Sequence, residues 1–457
     1  MAVGKETEKG AGDEGRRSAL ALYEDIEAEH MAALEATGIA FAPYDSERLE
    51  REGLLRQLRE RGARIRNGGA SVAIGPMSVA CEACTGSCVS RSFALTNNCH
   101  RDCFFCFNPN QEDFAYWCER PFPWRRQLDD LAAEPGSPAC IALTGGEPLL
   151  MADEAVAFFS RASELFPAAH LRLYTSGDLL SRELIDRLVR AGLHEIRFSV
   201  KQDDKPELLE KVLERMAWAR EQVPTVMVEM PVIPGTDSFM KELLAKLDAL
   251  GVDGVNLLEF AYAMWNWPVF ESLGLTLRNP PQQVVFDYTY AGALAVQDCL
   301  RLMLWAREQG LGLALHYCSL ENKHRAQVRN MNEPFADIHA CYAFDYDDFF
   351  LKTALAFDGD RDLVRRALER EGCRQVLEDA EGGSLAFHPR WLSVARRAVP
   401  EPGRLCVSFN VAVDEGRSLR ELKVVPAGEL SVQLTDSTGS ADACEPCLQG
   451  FEKSWNR

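Results

Sequence analysis

Between residues 91 and 317 the chain alternates short β-like runs with helix-like stretches, and this constrains its fold more than any other feature. The β-like runs are "RSFALT" (91–96), "CIALT" (140–144), "LRLYT" (171–175), "EIRFSV" (195–200), "TVMVEMPV" (225–232), "VNLLEF" (255–260) and "LGLALHY" (311–317). Between them lie segments with apolar residues at i, i+3 and i+4, such as "ADEAVAFFSRASELF" and "KPELLEKVLERMAWAREQ". Strands that alternate with helices imply right-handed βαβ crossovers and a parallel sheet. The pattern predicts an α/β fold, a partial (β/α)6-type TIM-like barrel, with chemistry gathered at the C-terminal ends of its strands. Residues 1–78 are expected to be a disordered tail and a helical N-terminal extension. The barrel with an upstream cysteine knuckle is expected over 79–335. From 336 to 457, "RDLVRRALEREG" reads as helix and "RLCVSFNVAVDEG" and "SVQLTDS" as strands, which predicts a small α+β accessory domain ending on a Cys-x-x-Cys pair.

Composition narrows the function. Net charge is −19, and the basic run "RQLRERGARIR" alternates with apolar residues as a solvated helix face does, which argues against nucleic acid as substrate. The N-terminus "MAVGKETEKGAGDEGRR" lacks the apolar core of a signal peptide, and no run of 18 apolar residues suggests a membrane span. A cytoplasmic location is therefore expected, where clustered thiols point to metal or redox chemistry before disulfides. Six of the 15 cysteines fall between Cys81 and Cys106, in two sets of three.

The second set, Cys99, Cys103 and Cys106, is spaced C-x-x-x-C-x-x-C directly after the first predicted barrel strand. Three thiolates on one loop can grip three corners of a 4Fe–4S cluster and leave one iron open to a ligand. The alternative is a zinc knuckle completed by His100 or a distant residue. With Phe105 before the last cysteine, and "TGGEP" (144–148) ending the next strand, the sequence over roughly 90–320 resembles the radical S-adenosylmethionine (SAM) enzymes. The resemblance implies that the open iron chelates SAM, and that an electron from the reduced cluster cleaves SAM to a 5′-deoxyadenosyl radical that abstracts hydrogen from a substrate. It also implies a flavodoxin or ferredoxin-type reductant. By the same resemblance, Gly145 and Gly146 allow close backbone approach to SAM, Glu147 receives its ammonium group and Pro148 fixes the turn. Ser176 (in "YTSG"), Ser199 and Lys201 (in "RFSVK") and Ile233 (in "PVIPG") match the family's SAM contacts more loosely.

"VEMPVIPG", "VNLLEF" and "HYCSLENKHRAQVRN" narrow the resemblance to a group related to pyruvate-formate-lyase-activating enzymes, whose members carry a cysteine knuckle upstream of the cluster loop. True activating enzymes are shorter and lack these extra cysteines, so glycyl-radical activation does not follow. The upstream set, Cys81, Cys84 and Cys88, again lacks a fourth ligand. Cys318, at the end of the last predicted strand, could complete an auxiliary iron–sulfur cluster. Alternatively Cys444 and Cys447 ("CEPC") could pair with Cys81 and Cys84 ("CEAC") in a tetrathiolate zinc or iron site. Upstream knuckles also occur in the tetraether-lipid synthases, which this sequence partly resembles. His316 and Tyr317 fall at a strand end and are candidates for proton transfer. The expected substrate is a peptide or protein side chain, with a small metabolite or lipid as alternative. The rival from another class is a non-catalytic iron–sulfur or zinc electron-transfer protein.

Overall fold

Alternation of side chains along each strand decides which residues meet helices and which meet one another. In the computed structural model the described residues are 14–84, 90–111, 113–134, 136–279, 289–379, 383–400, 404–413, 416 and 418–428. The polar tail to residue 13, Cys88, "SVQLTDS", Cys444 and Cys447 lie outside them.

The chain divides into two compact units, one of residues 35–326 and one of residues 1–34 with 327–457. The first is built on nine strands: β1 (Arg64–Arg66), β2 (Ser71–Ile74), β3 (Ser90–Ala94), β4 (Cys140–Thr144), β5 (His170–Thr175), β6 (Glu195–Phe198), β7 (Thr225–Pro231), β8 (Gly254–Leu258) and, after the small pair β9 (Ala261–Ala263) and β10 (Thr289–Ala291), β11 (Ala314–Cys318). Their order is β1-β2-β11-β8-β7-β6-β5-β4-β3. The seven strands from β3 to β11 pair in parallel, as the alternation predicts, and the sheet path does not close.

The two short strands β1 and β2 were not expected, because the region to residue 75 reads as helical. They pair antiparallel with each other, and β2 pairs antiparallel with β11, so together they extend the sheet past its last parallel strand. Three- and four-residue strands are too short for a period of two to stand out. The helices are where the periodicity puts them. Residues 182–190 show why: the Ser181 hydroxyl accepts a hydrogen bond from the Leu184 amide at 3.1 Å, satisfying one orphan donor of the first turn.

One face of the sheet carries Leu171, Leu173, Ile196, Val226, Val228, Val255, Leu257 and Leu315, all buried beneath helices in a continuous core. Each such side chain contributes about 1.5–3 kcal/mol by leaving water. The intervening residues face the other way, and several of them are polar, among them Arg172, Arg197, Asn256 and His316.

The second unit holds β12 (Ala343–Phe344), β13 (Leu351–Phe357), β14 (Val376–Asp379), β15 (Ser384–Phe387), β16 (Cys406–Val413) and β17 (Ser418–Pro426), in the order β14-β15-β13-β16-β17 with β12 beside β13. Helices Asp358–Arg370 and Leu392–Ala398 pack on this antiparallel sheet around Leu385 and Phe387. Ala19, Leu20 and Tyr23 of the N-terminal helix cover part of it. Among the described residues no helix is long and apolar enough to cross a membrane.

Candidate SAM and metal site

The loops after β3 and β4 are tied together by main-chain bonds beyond the strand ends. The Gly146 amide donates to the Thr96 carbonyl and the Glu147 amide to the Asn98 carbonyl, both at 2.9 Å. Asn108 donates from its side chain to the Gly145 carbonyl at 2.8 Å. The glycines owe their identity to this closeness. A Cβ on Gly146 would lie 2.1 Å from the Asn98 carbonyl oxygen, and Gly145 has φ +108°, a region that disfavours side chains. The "TGGEP" turn therefore fixes the backbone leading directly into Cys99.

Glu147 is 1% exposed and accepts four hydrogen bonds: from the Leu149 amide, the Thr175 hydroxyl, the Ser176 amide and the Ser176 hydroxyl, at 2.6–3.1 Å. It thus locks the end of β4 to the end of β5. The Ser176 hydroxyl also lies 2.6 Å from Asp178, its single proton serving one carboxylate at a time, and Asp178 lies 2.9 Å from His100 Nε2 on the cysteine loop. The carboxylate expected to take the SAM ammonium serves here as a hub between two strand ends. Pro148 begins the buried 3₁₀ turn that follows.

Cys99 is exposed and Cys103 and Cys106 are half-buried. Burial pushes all three thiols up, and the Lys201 ammonium pulls each of them back down. Lys201 is itself buried, donates to the Ser199 hydroxyl at 2.6 Å and sits 5.7 Å from the Phe105 ring centre. Four of the expected contacts, Phe105, Ser199, Lys201 and Ser176, thus gather with the cysteine loop, whereas Ile233 is a buried residue in the turn after β7. From the opposite side, Asn266 donates to the Phe104 carbonyl at 2.9 Å and the Trp265 indole to the Cys106 carbonyl. Phe104 also packs on Phe270 at 5.6 Å. The composition did not reveal this clasp, since it comes from a segment some 160 residues away.

Among the described residues no three His, Cys, Asp or Glu side chains close tightly enough to hold a metal ion as they stand. A cubane spreads its thiolates over separate irons, and so takes a wider set than one ion does. The donor set fits such a group: three thiols on one loop, a cation beside them and no competing carboxylate in the same C-x-x-x-C-x-x-C stretch except Asp102.

Of the upstream set of thiols, Cys81 and Cys84 lie on the inner face of the sheet. Helix Val79–Cys84 packs Ala80 and Ala83 against Cys140 of β4 and Cys81 against Ala73 of β2. The Arg197 guanidinium of β6 donates to the Cys81 sulfur at 3.2 Å, and Asn322 donates to the Cys318 sulfur at 3.4 Å. Cys81 packs on Ala73 of β2, and β2 pairs with β11 so that Ala73 stands opposite His316 and Ser71 opposite Cys318; burial drives the Cys318 thiol up to about 12, with Lys323 opposing. His316 faces the same side, its Nε2 2.9 Å from the Ser71 hydroxyl; burial and then Arg197 push its pKa down to about 3. Tyr317 points the other way into the helix-covered core, so the structure does not bring it to the site. Cys140, Cys299, Cys373 and Cys406 are buried.

Sequence reasoning missed the charged lining of this inner face: Arg172, Glu195, Arg197, Glu229 and Asn256. Arg197 is 1% exposed and pairs with both Glu195 and Glu229. The signal was present as single polar residues at alternate positions of apolar strands, as in "LRLYT" and "EIRFSV". An ordinary barrel interior is filled by branched apolar residues.

Residues 93–247 match the radical SAM superfamily. Over 298 residues the chain is 23% identical to a Methanocaldococcus jannaschii protein provisionally described as a glycyl-radical enzyme activating enzyme, a match covering 63% of this chain and 74% of that one. Among solved structures it is similar to Streptococcus suis SuiB bound to precursor peptide SuiA, at 14% identity and TM-score 0.38, over 50% of this chain and 48% of that one. It is also similar to methylornithine synthase, at 13% identity and TM-score 0.35, over 56% of this chain and 68% of that one. The chain spans about half the length of the SuiB structure it matches.

Proposed function

We propose that the chain is a radical SAM enzyme that abstracts hydrogen from a peptide or protein side chain, using electrons from a flavodoxin or ferredoxin-type donor. One observation carries the reading: the cysteine loop and the "TGGEP" turn are held in register by paired main-chain bonds at adjacent strand ends. A cluster held by Cys99, Cys103 and Cys106 would supply the electron that cleaves SAM reductively and so generates the hydrogen-abstracting 5′-deoxyadenosyl group. The protein's own part is positioning. Glu147 fixes two strand ends, Lys201 offsets thiolate charge, and the Trp265–Asn266 segment holds the carbonyls of the loop. The description of the M. jannaschii relative as an activator of another enzyme supports a polypeptide substrate. A second metal site accompanies this chemistry, and its ligands are argued separately below.

The test is anaerobic reconstitution with iron and sulfide, followed by dithionite and SAM. The wild-type protein should release 5′-deoxyadenosine, and Cys103→Ala should release none above background. A wild-type protein that binds iron but forms no 5′-deoxyadenosine would overturn the proposal.

A further inference from the structure

The inner face of the sheet holds more buried polar chemistry than packing requires. Three thiols come to this face from two segments 234 residues apart: Cys81 and Cys84 lie on one helix that packs Cys81 on Ala73 of β2, and Ala73 stands opposite His316, on the same strand as Cys318 at the end of β11. Three buried polar atoms on this face have no hydrogen-bond partner among the described residues: Arg172 Nε, Asn256 Oδ1 and His316 Nδ1. They come from β5, β8 and β11, on residues no more than 8% exposed. Arg172 makes no ion pair among the described residues, although the side chain is buried. A buried guanidinium and an orphaned ring nitrogen each cost free energy unless something completes them.

Charge points to what that something is. The Arg172 guanidinium is buried on this face with no ion pair among the described residues, and negatively charged sulfur ligands would supply its counter-charge. Two of the three sulfurs already accept an N–H bond, from Arg197 and from Asn322, the contact that tunes cluster-ligating thiolates. His316 has the arrangement of a ligating histidine: one ring nitrogen is anchored on the Ser71 hydroxyl at 2.9 Å, while the other is left free.

We infer that Cys81, Cys84 and Cys318, with His316 Nδ1 as the fourth ligand, form a second metal site on the inner face of the sheet and hold an iron–sulfur cluster there. The thiols do not close round a single ion, and neither do those of the Cys99 loop. The assignment deepens the proposed function but does not depend on SAM cleavage, because its readout is metal content.

The experiment uses the full chain with Cys99, Cys103 and Cys106 all changed to Ala, reconstituted anaerobically with ferrous iron and sulfide. Roughly four iron and four sulfide per chain should remain, with thiolate-to-iron charge-transfer absorption. Adding Cys318→Ser, a near-isosteric change, should remove that iron. Adding Cys299→Ala, a buried thiol bonded to the Leu258 carbonyl, should leave it in place. His316→Gln should shift the spectrum of the reduced cluster. A triple variant without iron, or one holding zinc and no sulfide, would overturn the cluster. Iron lost on changing Cys444 and Cys447 but kept on changing Cys318 would overturn the ligand set. An unaltered spectrum in His316→Gln would remove the histidine from it. Loss of 5′-deoxyadenosine in wild-type protein with this iron intact would count against the proposed function alone.

Discussion

At Gly146 one methyl group separates a working cysteine loop from a displaced one. The Cβ of Gly146→Ala would fall 2.1 Å from a main-chain oxygen of Asn98, one residue before Cys99, so the backbone must yield. Reconstituted Gly146→Ala should therefore lose most of the iron bound by Cys99, Cys103 and Cys106, read as iron per chain and as 5′-deoxyadenosine formed, while the inner-face iron stays. Glu147 gives a related prediction. Its two oxygens accept four hydrogen bonds, and a carboxamide at that position would turn a donor toward the Ser176 or Leu149 amide. Glu147→Gln should cost about 1–3 kcal/mol in urea unfolding, the penalty of stranding a buried donor. An unfolding curve that did not move would show that the network relaxes freely.

Among the strands, β6 has the most to lose. Arg197 spans from Glu195 on its own strand to Glu229 on β7 and reaches Ser78 and Cys81 beyond them. Burial alone would push Glu195 up, yet Arg197 and the hydrogen-bonded His170 bring its carboxyl well below the usual carboxylate range. A carboxylate depressed in the folded state adds stability above its unfolded pKa, about 4.3. That contribution fades as pH falls below that value toward the folded one. Arg197→Met should leave Glu195 and Glu229 buried without their cation and cost about 3–5 kcal/mol at neutral pH. The variant should also lose the extra acid sensitivity of the wild type below pH of about 4, read by urea unfolding across pH. A wild type and variant with parallel pH profiles would contradict this account of β6.

Across the whole molecule, two units have separate cores, one beneath the parallel sheet and one around Phe387. Calorimetry should therefore resolve two transitions. Phe387→Ala should remove about 3–5 kcal/mol from one of them and leave the other in place. A single transition that shifts as one would mean that the two cores unfold together. The strands and helices of the parallel sheet were legible because their signal is local: β-branched and leucine-rich runs of five or six residues, separated by helical periodicity. The cysteine loop and "TGGEP" were legible for the same reason, each being a contiguous motif whose residue types have one evident chemistry. The short strands β1 and β2 carried too few residues to show a period. The charged inner face was written into "LRLYT", "EIRFSV" and "VEMPV" one residue at a time, and only pairing of the strands collects those residues into one lining. By itself the sequence determined the order of elements and the identity of the cluster-binding loop, because local propensity and spacing suffice for both. It left Cys318 and the pair Cys444 and Cys447 as alternative partners for the upstream thiols. The tertiary structure put Cys81 on Ala73 of β2, the strand that pairs with the Cys318 strand, while the other pair lies outside the described residues. Such proximity depends on the antiparallel pairing of β2 with β11, and no period along the chain encodes a contact made over more than 200 residues.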